Sequence, residues 1–126
     1  MLRRSLVAGL LTGTSIALPV QAVSRLQVIY IGGWDCPICR QWKNTQKPQW
    51  FKSPEYSKVD YIEVESPKLR EAYESQNWPA NLRPILSQLT TRSGTPRFLL
   101  VKDGKIVGNY GSHWSTAYID IKSQVQ

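Results

Sequence analysis

The sequence predicts a single α/β domain built on a mixed four-stranded sheet with helices on both faces. Three observations carry this. Short β-branched and aromatic runs alternate with stretches that can be helical, a hairpin signal lies near the C-terminus, and the only two cysteines of the 126 residues sit as Cys36-Pro37-Ile38-Cys39 where the first strand run gives way to a helix. A helical crossover between the first two strands makes them parallel, while the hairpin adds an antiparallel pair, so the sheet is mixed.

The N-terminal segment reads as a secretory signal. Arg3 and Arg4 form a positive n-region, Leu6 to Leu18 an apolar segment diluted by Gly and Thr, and Val20-Gln21-Ala22 a small-residue pattern for cleavage after Ala22. That apolar segment is shorter than the ~20 residues of a membrane span, so residues 1 to 22 are expected to be removed and the mature protein to be exported, soluble and periplasmic. Arg3-Arg4-Ser5-Leu6-Val7 also loosely fits a twin-arginine signal, and an uncleaved anchor is the other alternative. Residues 23 to 126 are then one domain of 104 residues, enough for one core. Its 14 Lys and Arg against 9 Asp and Glu leave a net charge of +5, because Arg3 and Arg4 depart with the signal. The basic residues are scattered singly, which argues against nucleic acid as a partner.

Arg25 to Ile31 reads as a buried strand closed by Gly32-Gly33. A helix follows, with Asp35 or Cys36 as its cap and Pro37 in the first turn, where a missing N–H costs nothing; Ile38, Trp42 and Thr45 fall on one face. Pro48 is expected to end or kink it. Gln49 to Lys58 reads as a loop or short irregular helix, and Val59 to Glu65 as a strand. Ser66 caps an expected helix over Lys68 to Gln76 with Pro67 at its first position. Asn77-Trp78-Pro79 breaks it, and Ala80 to Leu89, interrupted by Pro84, reads as a short or kinked helix. Thr90 to Thr95 is a polar loop. Arg97 to Val101 and Lys105 to Tyr110 are strands joined through Lys102-Asp103-Gly104, with Gly available for positive φ. Gly111 to Gln126 holds a weakly apolar final helix.

Two cysteines three residues apart close too short a loop to stabilise a fold, so their value lies in chemistry or in metal binding. A c-type haem site needs His where Arg40 stands. Structural zinc needs four ligands, and the chain offers two thiols and the single imidazole of His113. Two thiolates holding a soft monovalent metal stay open as an alternative.

With Cys36-Pro37-Ile38-Cys39 at the end of a strand, Gly94-Thr95-Pro96 leading into the next-to-last strand, and the Asp103-Gly104 hairpin after it, residues 25 to 122 resemble the thioredoxin superfamily. The resemblance implies a three-layer thioredoxin-like fold and a cis Thr95–Pro96 peptide lying against a redox-active Cys36/Cys39 pair. It also implies that the fold is trimmed at the N-terminus, because the first strand begins almost at the cleavage site. The chain departs from the pattern in three places. Tyr30 stands where thioredoxins carry a buried Asp six residues before the first Cys, Asp35 separates Trp34 from Cys36, and the stretch from Ser66 to Arg92 is longer.

Thiol exchange requires a thiolate, and a helix N-terminus lowers a thiol pKa through its unpaired N–H groups and dipole. Cys36 is accordingly the expected nucleophile, and Cys39, one turn in and more buried, the resolving thiol. Asp35 opposes the thiolate, while Pro37 and Ile38 have no side-chain donor to stabilise it. A moderately lowered pKa and a reducing potential follow. Trp34, so near Cys36, is expected to flank a substrate groove, and Thr95 with the backbone at Pro96 to pair with an extended substrate segment. Trp42, Trp50, Trp78 and Trp114 are expected in the core or its shell, and His113 in packing or at the surface.

These readings converge on an exported thiol:disulfide oxidoreductase without a cofactor, a reductase in preference to an oxidant. Its expected substrates are cysteine-containing exported proteins, and its expected electron source a membrane partner. The alternative is a non-catalytic binding module or a copper- or haem-delivery accessory.

Overall fold

The computed structural model describes residues 25–126 together with Gly9 and Gly13; the signal-peptide expectation falls outside these residues. The described elements are β1 (Gln27–Gly33), α1 (Pro37–Thr45), α2 (Lys47–Lys52), β2 (Asp60–Ser66), α3 (Arg83–Leu86), β3 (Arg97–Lys102), β4 (Lys105–Asn109) and α4 (Trp114–Gln124). The sheet runs β2-β1-β3-β4, with β2 parallel to β1 and the other pairs antiparallel. None of the described helices is long and apolar enough to cross a membrane.

β1 is a continuous apolar run because it is covered on both faces, and Val28, Ile29, Tyr30 and Ile31 are fully buried. Alternation then splits its side chains. Val28 and Tyr30 join Phe98 and Leu100 under α1, α2 and α4, against Trp42, Trp50, Trp114, Ala117 and Ile121. Ile29 and Ile31 join Val64, Leu99 and Val101 on the other face, against Trp78, Leu82, Ile85, Leu86 and Leu89. The first face is largely aromatic. Trp42 stacks on Tyr30 at 5.1 Å between ring centroids and meets Phe98 at 4.9 Å and Trp114 at 5.4 Å.

The β3–β4 hairpin turns through Asp103 and Gly104, both at positive φ (52° and 75°), the backbone that a two-residue turn between twisted strands demands. Gln88 secures it from the opposite layer, donating to the Gly104 carbonyl at 2.8 Å and accepting from Ile106 N–H at 3.0 Å.

The helix break expected at Pro48 falls just before it: α1 ends at Thr45, the chain turns at Gln46, and Pro48 lies in the first turn of α2, where its absent N–H costs nothing. Ile38 is exposed, while Cys39 and Trp42 are buried. One local expectation is corrected. Lys68 to Gln76 is not an α-helix but two separate 3₁₀ turns, Leu69–Glu71 and Ser75–Asn77, with Glu74 extended before the second. Ser66 ends β2 in register with Gly33 instead of capping a helix. The Trp78 indole and Asn77 amide take the carbonyls of Ala72 and Glu71, which a continuous helix would have used for its own N–H groups.

Candidate active site

β1 delivers the chain to the site through Gly33, which packs against the connection after β2. A Cβ on Gly33 would stand 2.6 Å from the Leu69 Cα. The turn that follows is pinned at three points: Trp34 N–H donates to the Ser66 carbonyl at 3.0 Å, Leu69 N–H donates to Asp35 Oδ1 at 2.7 Å, and Arg40 donates to the Trp34 carbonyl at 3.3 Å. The Asp35 carboxylate, expected to oppose the thiolate and offered as a cap beside Cys36, instead holds the Leu69 N–H.

Cys36 is the N-cap of α1, with extended backbone (φ −96°, ψ 108°), and Pro37 opens the helix. Its sulfur accepts two hydrogen bonds, from Cys39 N–H at 3.1 Å and from the Thr95 hydroxyl at 3.2 Å. The first is the capping bond that a serine would make at this position, with sulfur in place of oxygen. Cys36 and Cys39 are joined as a disulfide with their Cα atoms 5.2 Å apart. The expected contrast in burial between them is absent, at 2% and 1% exposed. What separates them is polarity, since Cys36 holds the cap and faces two donors while Cys39 lies inside the helix; both belong to the aromatic core cluster.

Thr95 comes from the loop before β3, and the Thr95–Pro96 peptide is cis. Pro96 is buried and Thr95 half-buried. Trp34 is 65% and Ile38 56% exposed, and Leu69 is exposed as well, so the turn and helix that carry the disulfide, and the connection bonded to that turn, present apolar side chains to solvent. A shallow depression of about 250 Å³ continues past Ile38, Trp42 and Pro96. A larger hollow of about 570 Å³, between α2 and α4 at Trp50, Trp114 and Tyr118, has none of these residues in its wall.

Tyr30, which stands where the resemblance leads one to expect a buried Asp, lies in the same core cluster as both cysteines. Its ring stacks on Trp42 and its hydroxyl lies over Gly32, in the space a Cβ there would fill. That hydroxyl is buried without a hydrogen-bond partner among the described residues. Burial, reinforced by the nearby Glu63, raises the phenol pKa far above its ordinary value, so the group is neutral and no carboxylate reaches Cys39 from this position. Lys43, one turn after Cys39, lies over the Tyr30 ring at 5.4 Å and pairs with Glu65. Desolvation lowers its pKa, with Glu63 opposing.

His113 is exposed and precedes α4 without capping it through its side chain. Among the described residues no group of three or more His, Cys, Asp or Glu side chains is placed to hold a metal. Sequence reasoning brought together Trp34, Cys36, Cys39, Thr95 and Pro96, and it missed Leu69, Tyr73 and Arg97. Those three lie in or against a connection that has no motif, and only tertiary contact reveals them.

No family model and no curated protein matches the sequence. Solved structures do. A thioredoxin from Malassezia sympodialis superimposes with a TM-score of 0.58 at 16% identity, over 81% of this chain and 79% of that one. The periplasmic thioredoxin SoxS from Paracoccus pantotrophus, in its reduced form, gives 0.55 at 16% identity, over 79% of this chain and 98% of that one. The Schistosoma mansoni thioredoxin pre-protein, also reduced, gives 0.53 at 21% identity over 82% of each chain. With the sheet order β2-β1-β3-β4 and the C-x-x-C pair at the start of α1, these likenesses show that the chain has the thioredoxin fold.

Proposed function

We propose that the chain is an exported thiol:disulfide oxidoreductase that works as a reductase on cysteine-containing exported proteins. One observation carries this reading: a disulfide at the N-terminus of α1 in which, among the described residues, the Cys36 sulfur alone receives two hydrogen-bond donors. Both donors, and the positive end of the helix, favour a thiolate at Cys36 once the pair is reduced.

In the reduced protein the Cys36 thiolate attacks one sulfur of a substrate disulfide. That S–S bond breaks, the leaving thiolate takes a proton, and a mixed disulfide forms with Cys36. Cys39, deprotonated in turn, attacks the Cys36 sulfur and releases the second substrate thiol. Two electrons have passed to the substrate and the Cys36–Cys39 disulfide remains. A dithiol donor, supplied by a membrane partner, restores the pair. Trp34 and Ile38 form the apolar rim against which a substrate segment rests, and the backbone at Thr95 and Pro96 offers it main-chain partners. The reducing direction is supported by Pro37 and Ile38, neither of which adds a side-chain donor to the thiolate. Export is supported by the pattern of residues 1 to 22.

Cys39→Ser is expected to accumulate a mixed disulfide with a model protein substrate, visible on non-reducing gels and resolved by dithiothreitol. Cys36→Ser is expected to form none. A stable adduct on Cys39 in Cys36→Ser, with none on Cys36 in Cys39→Ser, would reverse the two roles.

A further inference from the structure

The loop that carries Thr95 is held from the opposite layer of the molecule. Tyr73, in the connection between β2 and α3, donates its hydroxyl to the Gly94 carbonyl at 2.5 Å and accepts from Arg97 Nε at 2.8 Å. The same guanidinium donates to the Ser93 carbonyl and to Asn109 Oδ1, each at 2.8 Å, and lies over the Tyr73 ring at 5.7 Å. Gly94 has φ of 85°, a backbone that L side chains rarely adopt, and it is this residue's carbonyl that meets Tyr73. Ser93, Gly94 and Arg97, the neighbours of Thr95-Pro96 on both sides, are therefore tied into one network centred on Tyr73 and Arg97. Burial keeps the Tyr73 phenol protonated against the influence of Arg97, so it remains a donor to Gly94.

What the loop presents at its tip is the Thr95 hydroxyl, 3.2 Å from the Cys36 sulfur. Hydrogen bonds weaken steeply with misalignment, so a loop free to rock loses much of that contact while keeping its average position. The connection also reaches the other half of the site, through Leu69 N–H on Asp35. It braces both loops that meet at Cys36.

We propose that Tyr73, held by Arg97, is a positioning residue that sets the Thr95 hydroxyl on the Cys36 sulfur and thereby adjusts how readily Cys36 ionises. The proposal rests on the thiol-exchange reading only in taking the Cys36 thiolate as the reactive species.

The test is the rate of iodoacetamide alkylation of Cys36 in the reduced full chain, followed by mass spectrometry as a function of pH. Tyr73→Phe keeps the ring and removes the hydroxyl. At a pH below the thiol pKa it is expected to slow alkylation about threefold to tenfold, the worth of one hydrogen bond, with no change at a pH where the thiol is fully ionised. Thr95→Val is expected to slow it at least as much. In the Thr95→Val background, Tyr73→Phe is expected to add nothing, because the contact through which it acts is gone. Arg97→Lys, which keeps the charge but loses the fork to Tyr73 and Ser93, carries the same expectation and serves if Tyr73→Phe does not fold. Wild-type alkylation rates in both variants, or equal slowing in both backgrounds, would overturn the proposal. Alkylation needs no substrate, so a wild-type protein that reduces no disulfide would end the enzymatic reading and leave this coupling to be decided on its own data.

Discussion

Cys36 and Cys39 differ in what donates to them and hardly at all in exposure. That makes chemical asymmetry a property of single atoms: a cap position, one backbone N–H and one threonine hydroxyl. The pair was legible because two thiols at a strand-to-helix junction point to exchange chemistry, and Thr95-Pro96 was legible only through the resemblance to the thioredoxin superfamily. Tyr30 was legible only as a departure. In the structure it is an aromatic core residue whose hydroxyl is stranded in an apolar layer, and an unpartnered buried hydroxyl costs about 1–3 kcal/mol. Tyr30→Phe is therefore expected to raise stability to chemical denaturation by about 1 kcal/mol and to leave Cys36 alkylation unchanged. A loss of stability of similar size would show that the hydroxyl is satisfied in solution, and a slowed alkylation would show that it reaches the thiols.

At the level of elements, β1, the start of α1 and the β3–β4 hairpin follow from patterns a few residues long: a β-branched run, a proline in a first helical turn, Asp-Gly between strands. The β2–α3 connection does not. Its residues Lys68 to Gln76 suit a helix by composition, yet the Trp78 indole and Asn77 amide remove the carbonyls a helix needs, and those side chains are placed by the core. Spacing puts Ile38 on the same face of α1 as Trp42, and it is the sheet under α1, meeting Cys39 and Trp42, that leaves Ile38 exposed. The end of β1 and the Leu69 turn touch so closely that the contact admits only glycine. Gly33→Ala places a methyl 2.6 Å from backbone and is expected to cost about 1–3 kcal/mol in denaturant unfolding, because the turn holding Asp35 must move. An unchanged midpoint would mean that this junction is slack.

Across the whole molecule, the sheet separates two cores, one aromatic under α1, α2 and α4 and one aliphatic under α3 and the 3₁₀ turns. The site lies where both layers reach the same end of the sheet. α1 brings the thiols from the aromatic side, while Leu69, Tyr73 and Arg97 tie the flanking loops from the aliphatic side. The order of strands and helices, with the hairpin at the end, was enough to predict this sandwich. The cross-layer ties were not predictable, because they join residues 34 and 21 positions apart through single hydrogen bonds.

The proposed function stands or falls on whether this buried disulfide cycles. The direct measurement is equilibration of the protein in dithiothreitol or glutathione buffers of graded potential, with the reduced fraction read by thiol alkylation and mass. One reversible two-electron transition, near about −270 mV for a reductase, is the predicted result. A pair that stays oxidised or reduced throughout, with no reversible transition, would contradict thiol:disulfide exchange and leave the fold as a binding module.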